Sequence, residues 1–180
     1  MFFQTKNNKQ ISIHKIMSGD FDKLLLYAHR LSDTTKNKFA PHVFDRKSLS
    51  DLFENNGSYM GYFALEQETG EMIAYSIIKL GLLDYDSARL QSYGLDLNEL
   101  TDATFAPSVA DNWQGFGVGH ILFQFIISDL KKKNIKRIIL WGGVQNTNTN
   151  AIDFYSKIGF KQLGEFEFNG LNYDMVLELS

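Results

Sequence analysis

The segment Val109-Ala110-Asp111-Asn112-Trp113-Gln114-Gly115-Phe116-Gly117-Val118-Gly119 stands between a strand-like run and a helical run. Three glycines at alternate positions let the backbone approach a ligand closely and adopt positive φ. The helix that follows adds unpaired N–H groups and a positive dipole end. Together these make an anion site suited to a phosphate or pyrophosphate. Its donors are main-chain groups, so no basic side chain is needed. Two phosphate-loop readings fail on spacing. The sixth position is His120 counted from Gly115 and Leu122 counted from Gly117, so the dinucleotide fingerprint is absent. The Gly-Lys-Ser/Thr of a Walker loop is absent too. The competing structural reading is a glycine-rich turn with no ligand. With no cysteine in the chain, disulfides, zinc–thiolate and iron–sulfur sites and a cysteine nucleophile are excluded, and no metal site is read.

The elements around this loop follow from patterning. The chain has 180 residues, 44% of them hydrophobic and 14% aromatic, enough for a real core. We assign one domain, 1–180, with no repeat or linker. A net charge of −3 gives no reason to expect nucleic acid. No apolar window spans a membrane. The start, Phe2-Phe3-Gln4-Thr5-Lys6, turns polar at once, so the expected location is cytoplasmic.

Ile11 to Ile16 alternates as a strand. Phe21, Leu24, Leu25, Ala28 and Leu31 form one helical stripe. Ser32 to Phe44 reads as an irregular link, and Asp45 to Asn56 as a helix ended at Gly57. Tyr59 to Gln67 and Glu71 to Leu80 read as a hairpin. Leu82 to Asp102 gives no clear pattern. Ala103 to Ala110 is strand-like, Gly119 to Lys133 a helix, and Arg137 to Val144 a buried strand. Asn150 to Ile158 is a short helix closed by Gly159. The Asn169-Gly170 turn joins Lys161–Phe168 to Leu171–Leu179. The order β-α-α-β-β-β-α-β-α-β-β specifies an α+β, or mixed α/β, domain.

Two motifs carry a family resemblance. Gln114-x-x-Gly117-x-Gly119 resembles the Q/R-x-x-G-x-G/A pyrophosphate loop of the GNAT (Gcn5-related) N-acyltransferases. Downstream, the segment from Asn148 through Ala151, Phe154, Tyr155 and Lys157 to Gly159-Phe160 is similar to that family's N-x-x-A-x-x-F-Y-x-K-x-G-F segment. Asp111 departs from the pattern, standing where many members carry proline, and the Leu82–Asp102 stretch is longer than the usual connection. The resemblance implies a central, mostly antiparallel sheet with flanking helices and two central strands splayed apart. It implies acetyl-CoA as cofactor. The N–H groups of Gln114, Gly115, Phe116, Gly117, Val118 and Gly119 would hold the pyrophosphate, and Val109 and Ala110 would pair with the pantetheine.

The implied reaction is attack of a neutral amine on a thioester. It needs an oxyanion donor and a proton for the departing thiolate. Tyr155 matches the family tyrosine that gives this proton; a phenol with pKa about 10 stays protonated at neutral pH. Its alternative role is an aromatic core residue on the face of Ala151 and Ile158. Asn148 matches the asparagine that touches the cofactor, and it also suits a helix N-cap. Val109 or Ala110 is the expected oxyanion donor. Glu66, Asp102, Asp111 and His120 are bases by type only, and none is assigned.

The basic run Lys131–Lys133, Lys136 and Arg137 has two readings, a contact with the nucleotide phosphate and, the commoner one, a solvated helix end. The acceptor is a small-molecule or peptide amine, expected against Thr34–Phe44 and Leu82–Asp102. An alternative is an acyl-CoA-binding sensor without turnover. The aromatic closing hairpin (Phe166, Phe168, Tyr173) offers an edge for a homodimer.

Overall fold

The structure is a computed structural model and describes residues 2–179. In chain order its elements are β1 (Phe2–Gln4), β2 (Gln10–Lys15), α1 (Phe21–Arg30), α2 (Asp33–Lys38), α3 (Arg46–Phe53), β3 (Tyr59–Glu66), β4 (Met72–Leu80), α4 (Asp84–Ser92), β5 (Asp102–Val109), α5 (Val118–Lys132), β6 (Arg137–Leu140), β7 (Val144–Gln145), α6 (Thr149–Lys157), β8 (Lys161–Glu167) and β9 (Leu171–Glu178). Strand neighbours run β1-β2-β3-β4-β5-β6-β9-β7, and β8 also pairs with β9. The architecture is mixed α/β, as the element order specifies, with the mostly antiparallel sheet that the family resemblance implies.

The chain divides into two compact units. The first holds the chain up to Ile78 together with Ala106–Asp129. Its sheet is β1-β2-β3 continued by β4 and the end of β5; the Ala110 N–H donates to the Ile73 carbonyl at 2.9 Å. Phe21, Leu24, Tyr27 and Ala28 form the buried stripe of α1. Leu122, Phe123 and Ile126 form that of α5. The irregular link expected at Ser32–Phe44 contains α2, which starts where the Ser32 hydroxyl accepts from the Thr35 N–H.

The second unit holds Lys79–Phe105 and the chain from Leu130 onward. Here β5 and β6 pair in parallel, from Asp102↔Arg137 to Phe105↔Leu140. Beyond Phe105 the strand meets Pro107, which has no N–H to give a ladder. The strand expected over Arg137–Val144 is broken: Gly142 and Gly143 take φ of +64° and +70°, and β7 resumes after them. The unreadable Leu82–Asp102 stretch holds α4. Leu82 and Leu90 pack there with Ile139 and Val176, bordered by Tyr93, Leu95, Leu97 and Leu163.

Ions hold α4 in addition to apolar contact. Asp86 and Asp174 are buried, and Arg89 bridges them. Its Nε donates to Asp174 at 2.7 Å and one terminal nitrogen donates to Asp86 at 2.6 Å. Its guanidinium carbon lies 3.7 Å from the Phe166 ring centre. The second Asp86 oxygen accepts the Gly142 N–H at 3.3 Å, which ties α4 to the glycine turn after β6. Among the described residues no helix is long and apolar enough to cross a membrane.

Candidate functional site

In the first unit, the residues read as a phosphate cradle come together at the end of β5. The Ala110 N–H donates to Ile73 of β4, while its carbonyl accepts the Trp113 N–H at 2.8 Å; strand alternation turns the Val109 N–H away from β4. The Val109 carbonyl accepts from the Gln114 side-chain amide at 3.1 Å, which braces the loop against the strand end. Asp111–Trp113 forms a single 3₁₀ turn. Gly115 and Gly117 then take φ of +80° and +86°, a region L-residues avoid. Nothing lies within 4 Å of where a Gly115 side chain would begin, so the loop is open at that point. The first N–H returned into α5 is that of Ile121, to Gly117 at 3.1 Å. The N–H groups of Val118, Gly119 and His120 precede it and have no carbonyl one turn behind them. Open glycines and unpaired N–H groups of this kind fit a pyrophosphate.

Asp111, which departs from the family pattern, is a hub. Its carboxylate accepts from the Ser32 N–H at 3.0 Å, the Ser32 hydroxyl at 2.7 Å and the Thr35 hydroxyl at 2.6 Å. It therefore ties the 3₁₀ turn of the loop to the start of α2. Burial pushes its carboxyl up, but these donors outweigh burial and hold it below the ordinary range.

The other acids read as bases by type are also held by neighbours. Glu66 is buried and accepts from the Thr69 N–H and hydroxyl, both at 2.7 Å. Asp102, in the second unit, pairs with Arg137 at 3.3 Å and caps the Asn98 N–H at 2.8 Å; burial leads in raising its pKa. His120 is exposed on the first turn of α5. Lys131–Lys133 and Lys136 are exposed as well, and Arg137 is drawn to Glu178 at 2.7 Å.

Sequence reasoning missed a polar chain in the first unit. His42 Nδ1 lies 2.9 Å from the Val43 carbonyl, which can only accept, so that nitrogen carries the proton. His42 Nε2 then accepts from the Tyr75 hydroxyl, also at 2.9 Å. Burial holds the imidazole below its ordinary pKa, against the rings of Phe44, Phe53 and Tyr75. Tyr27 and Ser108 join hydroxyls nearby at 2.8 Å. The sequence signal was only the position of His42 in the link after α2.

In the second unit, Asn148 and Tyr155 stand on α6. Asn148 is the N-cap residue by position, yet its side chain makes no cap hydrogen bond. Tyr155 is buried, with Phe154 and Phe160 rings each 5.5 Å away. Burial raises its phenol above the ordinary value, so it is protonated at neutral pH. Its hydroxyl has no hydrogen-bond partner among the described residues. Gly159, at φ +100°, closes the helix as expected.

Residues 26–160 match the family model "Acetyltransferase (GNAT) family". A curated relative named as an N-acetyltransferase, from Lactobacillus delbrueckii subsp. lactis, is 24% identical over 131 residues; the match covers 73% of this chain and 68% of the relative. Among solved structures, the GNAT domain of S. lividans PAT superposes with a TM-score of 0.76 at 20% identity, covering 99% of this chain and 96% of that one. The ribosomal-protein-S18-alanine N-acetyltransferase of Escherichia coli gives 0.66 at 18% identity, covering 94% of each. An aminoglycoside acetyltransferase in complex with coenzyme A gives 0.68 at 16% identity, covering 93% and 94%.

Proposed function

Because the chain belongs to the acetyltransferase (GNAT) family, we propose that it moves an acetyl group from acetyl-CoA to a primary amine by direct attack. The observation that carries the cofactor assignment is the open glycine loop, with Gly115 and Gly117 at positive φ ahead of unpaired helix N–H groups. Those N–H groups, from Gly115 to Gly119, bind the pyrophosphate; the Gln114 N–H, expected to join them, is donated to the Asp111 carbonyl at 3.4 Å instead. Val109 and Ala110 line the pantetheine, and Asn148 contacts the cofactor through a side chain not used as a cap. Acetyl-CoA supplies the acyl group as an activated thioester.

The Ala110 N–H is already donated to Ile73, so the oxyanion donor is the Val109 N–H. Tyr155 holds the proton that the departing sulfur takes. Its phenol is protonated, lies among apolar rings and has no protein acceptor of its own among the described residues. That free hydroxyl favours turnover over a sensor that only binds acyl-CoA. Of the segments expected to meet the amine, Thr34–Phe44 carries His42, bonded to Tyr75 of β4, and Leu82–Asp102 carries α4.

The test uses thiol release. The chain has no cysteine, so a thiol-reactive chromophore reports coenzyme A alone. Acetyl-CoA is supplied with peptide N-termini, free amino acids, polyamines and aminosugars. Wild type should release thiol with at least one class. Tyr155→Phe should lose about 10²- to 10⁴-fold in rate, with acetyl-CoA affinity changed less than about twofold. Binding without release for every amine would favour the sensor.

A further inference from the structure

The loop reads from sequence as a purely main-chain cradle, but the fold brings a cation to it from far along the chain. The connection between β1 and β2 is a tightly knit turn. Thr5 is buried at its base; its N–H donates to the Lys9 carbonyl at 3.0 Å and its hydroxyl accepts the Lys9 N–H at 3.1 Å. The Asn8 N–H returns to the Thr5 carbonyl at 3.0 Å, and Asn8 itself takes φ +61° to close the turn. This turn docks on the glycine loop, where the Lys6 N–H donates to the Phe116 carbonyl at 3.0 Å. The Lys6 side chain lies across Gly117. A methyl group there would meet Lys6 Cγ at 3.7 Å and Cε at 3.8 Å. Lys9, in the same turn, is paired with Glu68. Lys6 is exposed and has no ion pair among the described residues.

We infer that Lys6 is a phosphate-binding residue of the cofactor loop, its ammonium completing the main-chain site at Gly115–Gly119 by contact with the pyrophosphate of coenzyme A. This rests on the reading of the loop as the pyrophosphate site. Two features separate Lys6 from an ordinary surface lysine. Its backbone is pinned to the loop by a hydrogen bond that needs no side chain. Its methylene stem is laid over a glycine that the loop requires, so the cation is held near the site before any ligand arrives. One unpaired cation beside a dianionic diphosphate contributes by charge-assisted hydrogen bonding, moderated by exposure.

Calorimetric titration of the full chain tests this, with acetyl-CoA and 3′-dephospho-CoA as ligands. The proteins are wild type, Lys6→Met and Lys6→Arg. Methionine keeps the stem and the N–H, so the docked turn persists, which melting temperatures verify. Lys6→Met should weaken acetyl-CoA binding about 3- to 20-fold, and Lys6→Arg should restore most of it. The deficit should shrink as salt rises toward about 0.5 M. An equal deficit with 3′-dephospho-CoA supports the pyrophosphate contact; a deficit confined to ligands bearing the 3′-phosphate overturns it. If wild type binds and Lys6→Met matches it within about twofold, the Lys6 inference fails and the loop reading stands. If wild type binds neither ligand, the loop reading itself fails.

Discussion

Replacing Arg89 by methionine tests how the α4 segment is held. Arg89 makes three hydrogen bonds to two carboxylates: to Asp174 at 2.7 and 3.1 Å and to Asp86 at 2.6 Å. The carboxylate side chains are only 4% and 1% exposed, while that of Arg89 is 22% exposed. Removing one partner of a buried ion pair costs about 3–5 kcal/mol. Partial solvation of Arg89 places the expected loss at about 2–4 kcal/mol, and methionine keeps apolar contact with Phe166. For a chain of this size that is a fall in melting temperature of about 5–15 °C.

The loss depends on pH with a defined sign. Burial raises the Asp86 carboxyl above the ordinary range, against the pull of Arg89. A carboxyl raised in the folded state favours folding while protonated and loses that contribution as pH rises through its folded value. Arg89→Met raises it further, so the gap to wild type should narrow from pH 7 to pH 5 in thermal melts. Adding Asp86→Asn and Asp174→Asn to Arg89→Met should recover part of the loss. A fall below about 2 °C, or a gap unchanged by pH, would refute the ionic account of α4.

Asp111→Asn should destabilise by about 0.5–1.5 kcal/mol at pH 7 in denaturant melts, by weakening the link between the glycine loop and α2. Because the folded Asp111 carboxyl lies below its ordinary range, its contribution is present above about pH 4 and disappears as pH falls through the folded value. Wild type should therefore lose its margin over the variant on acidification. Gly115→Ala and Gly117→Ala should each cost about 1–2 kcal/mol, from positive φ rather than a clash. Both should also weaken acetyl-CoA binding in titration. Gly57→Ala, at an open position without positive φ, is the control and should change neither quantity.

What the sequence revealed follows from which forces leave a periodic trace. The stripe of α1 and the Asn169-Gly170 turn are local signals, and the structure has both; β2 forms where its alternation placed a strand, but Ser12 is buried together with Ile11 and Ile13, so both faces are covered there. The segment α4 left no such trace because it buries only Asp86 and Leu90, and an ion triad completed by the distant Asp174 holds it. The helix α2, Asp33-Thr34-Thr35-Lys36-Asn37-Lys38, has no apolar residue at all; Ser32 and Asp111 start it. The break between β6 and β7 was legible in Gly142-Gly143, a turn signal outweighed by the apolar run before it. At the loop, the glycine spacing was readable because main-chain geometry needs those residues. The bonds from Lys6 to Phe116 and from Asp111 to Ser32 were not, since each joins residues far apart in the chain.

The most direct test of the central claim is a calorimetric and thermal-shift titration of wild type with acetyl-CoA, with ATP in parallel. Saturable binding of one acetyl-CoA is expected, stabilising the fold by about 2.7 kcal/mol at 100 times the dissociation constant, with no shift from ATP. No heat and no shift at millimolar acetyl-CoA would contradict the account and leave the glycine segment as a turn alone.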